Sequence, residues 1–69
     1  MKFNYAKLLG RMREFNYTQE SLAKAIGKNE GTVNAKLNNK SNFTTAEIVS
    51  ICKVLNITSK DIGAYFFVV

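Results

Sequence analysis

The 69-residue sequence contains no histidine, no proline, no tryptophan and a single cysteine, Cys52. One cysteine excludes an intrachain disulfide, and the missing histidines exclude most zinc sites and all catalysis that depends on a histidine base. The five carboxylates are scattered, and no phosphate-binding loop or metal-ligand spacing occurs. The absences therefore predict a binding protein that is not an enzyme, with no cofactor, no metal and no small-molecule substrate.

Positive charge exceeds negative charge, with ten lysines and arginines against five acidic residues, which gives a net charge of +5. On so short a chain this excess indicates a polyanionic partner, either nucleic acid or a membrane surface. The basic residues are spread over several short segments, which argues against a membrane partner. The N-terminus lacks the pattern of a signal peptide, and the longest apolar run, 64–69, is too short to span a membrane. We therefore expect a single cytoplasmic domain over residues 1–69.

Apolar residues recur at helical spacing almost throughout, which predicts an all-α domain of five short helices. Thr44 and Glu47 have the spacing of a capping box, and Phe43 with Ile48 that of a hydrophobic staple. The other helix ends that the sequence predicts are N-caps at Asn4, Thr18, Asn29 and Thr58, and terminations near Phe15, Gly27, Asn38, Asn56 and Gly63.

Residues 18–38 have the spacing of a helix-turn-helix unit. Ala23 is small where two helices would cross, Gly27 follows four residues later in the turn, and Val33 comes six residues after that. The two helices are separated by too few residues to lie antiparallel side by side. This joint spacing, with caps at Thr18 and Asn29, predicts that the second and third helices form such a unit.

Residues 5–62 resemble the Cro/C1-type (XRE-like) helix-turn-helix domain of phage repressors, and the chain looks most like small regulators of temperate phages of Gram-positive bacteria. The residues that carry the resemblance are Thr18-Gln19, Leu22-Ala23, Ile26-Gly27, Val33, Asn38, Ile48, Ile51, Leu55 and Ile57. The resemblance implies a compact five-helix lambda-repressor-like domain that works in the cytoplasm of the bacterial host, at the nucleoid.

The resemblance also implies a DNA-binding surface. Gln19 would anchor a phosphate, the third helix would be the recognition helix in the major groove, and Asn38 would contact the DNA backbone. Lys28, Lys36 and Lys40 surround that helix and suit phosphates better than bases. The candidate DNA-binding residues are Gln19, Lys28, Asn29, Glu30, Gly31, Thr32, Asn34, Ala35, Lys36, Asn38 and Lys40.

The recognition helix departs from the family pattern at its base-reading positions. Glu30 can accept only from a cytosine amino group, while Gly31 and Ala35 offer no side-chain hydrogen bonds. Asn34 alone has the chemistry to read a base, by bidentate pairing with adenine.

Two functions from different classes fit these residues. The first is a sequence-specific, Cro-like transcriptional regulator that binds operator half-sites of double-stranded DNA, about 34 Å apart, as a homodimer. The second is a modulator or antirepressor that forms a heterodimer with a cognate helix-turn-helix repressor instead of reading DNA. The apolar tail fits either the core or a dimer or partner interface, and its residues are Tyr65, Phe66, Phe67, Val68 and Val69.

Overall fold

The computed structural model describes residues 2–69, and over that range the chain forms five α-helices and no β-strand. The helices are α1 (Ala6–Glu14), α2 (Gln19–Ala25), α3 (Glu30–Leu37), α4 (Thr45–Val54) and α5 (Ile62–Phe66), and a 3₁₀ turn (Ser59–Asp61) leads into α5. The all-α prediction with five helices is therefore confirmed.

Side-chain caps fix the starts of α2, α3 and α4. At α4, the Thr44 hydroxyl accepts the Glu47 N–H at 3.2 Å, and the Glu47 carboxylate accepts the Thr44 N–H at 2.8 Å. Thr18 makes a similar reciprocal box with Ser21, which the sequence analysis did not predict. Asn29 accepts the Thr32 N–H at 2.8 Å. The predicted caps at Thr18, Asn29 and Thr44 are confirmed.

Two predicted helix ends are wrong, and a third, Thr58, is the N-cap of the 3₁₀ turn but lacks the side-chain cap. The N-cap of α1 is Tyr5 and not Asn4, because the Asn4 side chain accepts the Ala6 N–H at 2.9 Å from one position further out. Gly63 lies inside α5 and does not end it. The helix continues to Phe66, which is buried at 1% exposure. Thr58 makes no side-chain cap, and its hydroxyl donates to Asp61 instead.

Left-handed residues close the turns between helices. Gly27 has a φ of +74° and follows α2, where glycine avoids the cost that a Cβ brings in this region. Asn56 has a φ of +54° after α4, as the sequence predicts. Asn16 and Asn39 take the same conformation after α1 and α3, at φ values of +60° and +61°. Asparagine tolerates this region better than most residues, so these three positions take it without glycine.

The core is formed by the inward faces of all five helices. Its largest fully buried side chains are Leu8, Leu22, Val33, Ile51, Leu55 and Phe66. Val33 and Leu37 of α3 are buried in the same core as Leu22 and Ala23 of α2, and residues 26–29 join the two helices. We call these two helices and their turn the α2–α3 unit.

Arg11 connects α1 to the end of α4. Its guanidinium donates from Nε to the Leu55 carbonyl and from Nη2 to the Asn56 carbonyl, both at 2.9 Å. The last carbonyls of a helix have no partner within the helix and carry partial negative charge, so a cation there satisfies both needs. One basic residue of α1 is thus used in the fold.

Candidate functional site

The predicted DNA-binding residues differ in exposure. Seven of them are exposed to solvent: Lys28, Asn29, Glu30, Gly31, Asn34, Asn38 and Lys40. Four are half-buried: Gln19, Thr32, Ala35 and Lys36. All of them belong to the α2–α3 unit or to the segment that follows it.

The amide side chains of this surface bind one another. The Asn34 side chain donates to the Gln19 side chain at 2.9 Å, so the proposed base reader and the proposed phosphate anchor are each other's partners. Asn38 donates to the Asn34 carbonyl at 2.9 Å. Asn29 accepts from both the backbone and the hydroxyl of Thr32. The first of these bonds leaves one amide hydrogen and the Oδ1 of Asn34 for other partners, so a base contact by Asn34 does not require it to break.

Glu47 lies in contact with two lysines of the α2–α3 unit. It is the buried charged residue of the described range, at 4% exposure, and it comes from the first turn of α4. Lys36, whose side chain is 12% exposed, donates to both carboxylate oxygens of Glu47. Lys28 approaches the same carboxylate at 3.9 Å. Two of the three lysines predicted to contact phosphate are therefore directed at a carboxylate of their own chain.

The environment of Glu47 keeps it ionised. Burial alone would raise the pKa of this carboxyl, because a charge is costly away from water. Hydrogen bonds from Lys36 and from the Thr44 N–H, together with the charge of Lys36, outweigh burial and hold the pKa of Glu47 below its ordinary value. The carboxylate therefore neutralises lysine charge at neutral pH.

The net charge of the chain is concentrated outside the α2–α3 unit. Residues 18–47 contain four lysines and three glutamates, a net charge of +1, whereas the remaining residues contribute +4. A phosphate-binding surface normally gathers positive charge on one face. The +5 from which a polyanionic partner was predicted is thus largely located elsewhere.

A second feature is an apolar pocket at the junction of the two chain ends and α4. Its volume is about 200 Å³. Phe43 contacts both Tyr5 and Phe66 in edge-to-face geometry, with ring centroids 5.5 and 5.6 Å apart. We call it the aromatic pocket, and its lining residues are Phe3, Tyr5, Asn42, Phe43, Ile48, Phe66 and Phe67.

The apolar tail divides between core and surface. Phe66 is buried at 1% exposure, as the core alternative expects, and it also lines the aromatic pocket, so its role in an interface stays a prediction. Tyr65 is half-buried, and Lys7 lies 4.9 Å from the centre of its ring. Phe67, Val68 and Val69 are exposed by 53%, 42% and 75% and form an apolar end to the chain beside the pocket.

The N-terminal segment, which the sequence analysis did not assign to the site, holds one wall of the pocket. The Phe3 N–H donates to the Asn39 side chain at 2.8 Å, and that side chain donates back to the Phe3 carbonyl at 2.9 Å. The Asn4 N–H donates to the Val68 carbonyl. The Phe3 ring then meets the Phe67 ring edge to face at 5.7 Å. No local sequence signal marks these contacts, because their partners lie 36 or more residues apart.

Comparison with known families gives a match over nearly the whole chain, since the profile of DUF739, described as a protein of unknown function, matches residues 1–68. The chain belongs to the DUF739 family. Membership of the Cro/C1-type family stays a prediction.

The DUF739 chain is also similar to a solved structure, the solution structure of the modulator of repression (MOR) of the temperate bacteriophage TP901-1 from Lactococcus lactis. The two sequences are 40% identical, the TM-score is 0.82, and the similarity covers 97% of this chain and 90% of that one. No curated protein sequence matches the chain. The similarity therefore extends over nearly the whole of this chain.

Chemically reactive groups are few in the DUF739 chain. Cys52 is buried on α4, and burial raises the pKa of its thiol, which keeps it protonated and apolar in behaviour. Among residues 2–69 no three histidine, cysteine or acidic side chains cluster as metal ligands. Within the same range no helix has the length and apolar character needed to cross a membrane.

Proposed function

We propose that this DUF739 chain is a phage regulatory protein that modulates repression by binding a repressor protein in the bacterial cytoplasm. The observation that carries the proposal is the similarity to a phage modulator of repression along nearly the full length of both chains, at 40% identity. The role is one of binding and not of catalysis, and it needs no cofactor.

The α2–α3 unit supports contact with protein over direct reading of DNA. Asn34 is hydrogen-bonded to Gln19, and Glu47 neutralises charge on Lys36. Glu30, at the exposed tip of α3, adds a negative charge that would repel phosphate. A specific operator contact needs phosphate-binding cations as well as base-reading groups, and of the predicted cations Lys36 is bonded to Glu47 and Lys28 faces it.

The aromatic pocket is the surface best suited to a repressor. Exposed apolar residues beside a cavity are unusual on a monomer and mark sites for protein partners. Phe67 is both a wall of the pocket and 53% exposed, so an incoming apolar side chain would bury it. Aromatic residues in such positions commonly carry most of the binding energy of an interface.

Direct, sequence-specific DNA binding in the manner of Cro/C1-type regulators is the second candidate. The helix-turn-helix arrangement itself favours it, together with exposed Asn38 and Lys40 at the end of α3. Homodimers on paired operator half-sites would be the active species. A gel-shift series with the chain alone, the repressor alone and both together separates the candidates. If the chain shifts operator DNA in the absence of the repressor and does not bind the repressor, the result supports this second function.

Substitution of Phe67 tests the proposed repressor contact. We expect Phe67→Ser to weaken binding of the repressor encoded beside the gene at least about tenfold, because it removes a central aromatic anchor. Isothermal titration calorimetry with the purified repressor measures the effect. Phe15→Ser is the matched control, since Phe15 is 38% exposed and lies outside the aromatic pocket. Equal affinity of both variants and the wild type would contradict the proposal.

A further inference from the structure

Glu47 is placed where one carboxylate acts on two cations of the α2–α3 unit at once. Lys36 lies in the last turn of α3, and Lys28 lies in the turn that joins α2 to α3. Glu47 belongs to neither helix, and it reaches both lysines from the first turn of α4. Its own backbone position is fixed by the reciprocal cap with Thr44.

The two lysines would otherwise be free to meet phosphate. When a recognition helix docks in the major groove, the residues at its ends and in the preceding turn come close to the sugar-phosphate backbone. A lysine that neutralises a phosphate releases a counterion, and each such contact steepens the salt dependence of binding by about 0.9. Lys36 has little access to a phosphate in the wild type, because its side chain is 12% exposed and its ammonium is bonded to both oxygens of Glu47.

We propose that Glu47 is a specificity-determining residue that keeps the α2–α3 unit off nucleic acid, and that Lys28, Lys36 and Lys40 form a latent binding site for the phosphodiester backbone of double-stranded DNA. Lys40 is accessible in the wild type and gives it weak binding, and Lys28 and Lys36 become available when the charge of Glu47 is removed. The proposed site does not distinguish base sequences, because phosphate contacts carry no sequence information. The inference goes beyond the proposed function, since it concerns the chain without its repressor.

Glutamine at position 47 isolates the charge from the cap. Glutamine serves as well as glutamate at the third position of a capping box, so Glu47→Gln retains the bonds that start α4. It removes one negative charge, and so does Glu14→Gln on α1, where the side chain is 67% exposed and lies outside residues 18–47. The two variants have the same net charge, but Glu47→Gln releases lysines of the α2–α3 unit, whereas Glu14→Gln removes a partner 3.9 Å from Arg11 of α1.

The test is fluorescence anisotropy with a random-sequence 20-base-pair duplex over a series of salt concentrations. We expect Glu47→Gln to bind at least about tenfold more tightly than the wild type at low salt, with a salt slope steeper by about one to two. Glu14→Gln should stay within about twofold of the wild type. A folded Glu47→Gln chain, checked by circular dichroism, that binds no more tightly than Glu14→Gln overturns the proposal.

A second measurement needs no change at Glu47. In the wild-type background, Lys40→Met should weaken duplex binding more than Lys28→Met, because Lys40 is exposed without an ion pair in the described range and Lys28 faces Glu47. Equal losses from the two substitutions would overturn the proposal even if Glu47→Gln did not fold. Failure of the wild type to bind a repressor would refute the proposed function alone, since no arm of this test contains a repressor.

Discussion

At the level of single side chains, Glu47 makes contacts of three kinds. It completes the cap of α4, accepts from Lys36 and faces Lys28, all from a site that is 4% exposed. An ionised carboxylate in such a site is tolerated only when charge-assisted hydrogen bonds offset the lost hydration. The two Lys36 contacts and the Thr44 N–H supply them, so Glu47 binds the α2–α3 unit to α4.

The lowered pKa of Glu47 predicts a loss of stability in acid. A carboxyl whose pKa is lower in the folded chain than in the unfolded chain, where it is about 4.3, stabilises the fold above that value. The contribution disappears as the pH falls through the folded pKa. Urea unfolding at pH 7 and pH 3 should show a loss of about 1–3 kcal/mol that Glu47→Gln does not show.

Glu30→Gln is the comparison for this experiment. Glu30 is exposed and takes part in no ion pair within the described range, so its variant should lose as much stability in acid as the wild type does. If Glu47→Gln and Glu30→Gln had the same pH dependence, the buried carboxylate would not be the source of the acid sensitivity.

Among the structural elements, the N-terminal segment is the one whose role depends wholly on distant contacts. Asn39, in the left-handed turn after α3, exchanges two hydrogen bonds with the main chain of Phe3. The Asn4 N–H donates to the Val68 carbonyl on the opposite side. The segment therefore joins the end of α3 to the end of the chain and places the Phe3 ring in the aromatic pocket.

Replacement of Asn39 by glycine tests that connection. Glycine accepts a φ of +61° without strain, so Asn39→Gly removes the two side-chain hydrogen bonds and leaves the turn intact. We expect a loss of about 1–3 kcal/mol relative to a control glycine variant, at about 0.5–1.5 kcal/mol for each bond. Urea unfolding measures it, and faster hydrogen exchange of the Phe3 N–H should accompany it.

Asn16→Gly is the control for that loss. Asn16 has nearly the same backbone conformation, with a φ of +60°, and its side chain makes no hydrogen bond within the described residues. The control should be as stable as the wild type or slightly more stable, because glycine relieves the cost of the left-handed region. Two equally stable glycine variants would show that the Asn39 side chain does not anchor the segment.

The distance between partners in the chain separates what the sequence predicted from what it could not. The caps at Thr18, Asn29 and Thr44 join residues three positions apart, so their pattern is visible in the sequence. The Asn39–Phe3 and Lys36–Glu47 contacts join residues 36 and 11 positions apart, and they depend on how helices pack. The sequence therefore predicted the DNA-binding residues but not the internal hydrogen bonds and ion pairs that they make.

For the molecule as a whole, the net charge does not show where charge is available to a partner. The net charge of +5 predicted a polyanionic partner, but the α2–α3 unit carries only +1 of that charge. The Arg11 guanidinium is hydrogen-bonded to the carbonyls of Leu55 and Asn56. Total charge fixes long-range attraction, whereas specific binding depends on where the charges are free. The exposed apolar residues Phe67, Val68 and Val69 are therefore a better indication of a partner surface than the net charge is.

Two truncations separate the structural part of the tail from its surface part. Deletion of residues 64–69 removes Phe66, and loss of one buried phenylalanine costs about 3–5 kcal/mol. A domain of this size has a total stability near the lower end of about 5–15 kcal/mol, so we expect this shorter chain to be unfolded.

Deletion of residues 67–69 removes exposed side chains and the Val68 carbonyl, and it should leave a cooperative fold that no longer binds the repressor. Thermal denaturation followed by circular dichroism, with calorimetric titration of the folded variant, measures both outcomes. If the chain without residues 67–69 were unfolded, the exposed end would be needed for the fold. If that chain still bound the repressor, the partner surface would lie outside the aromatic pocket.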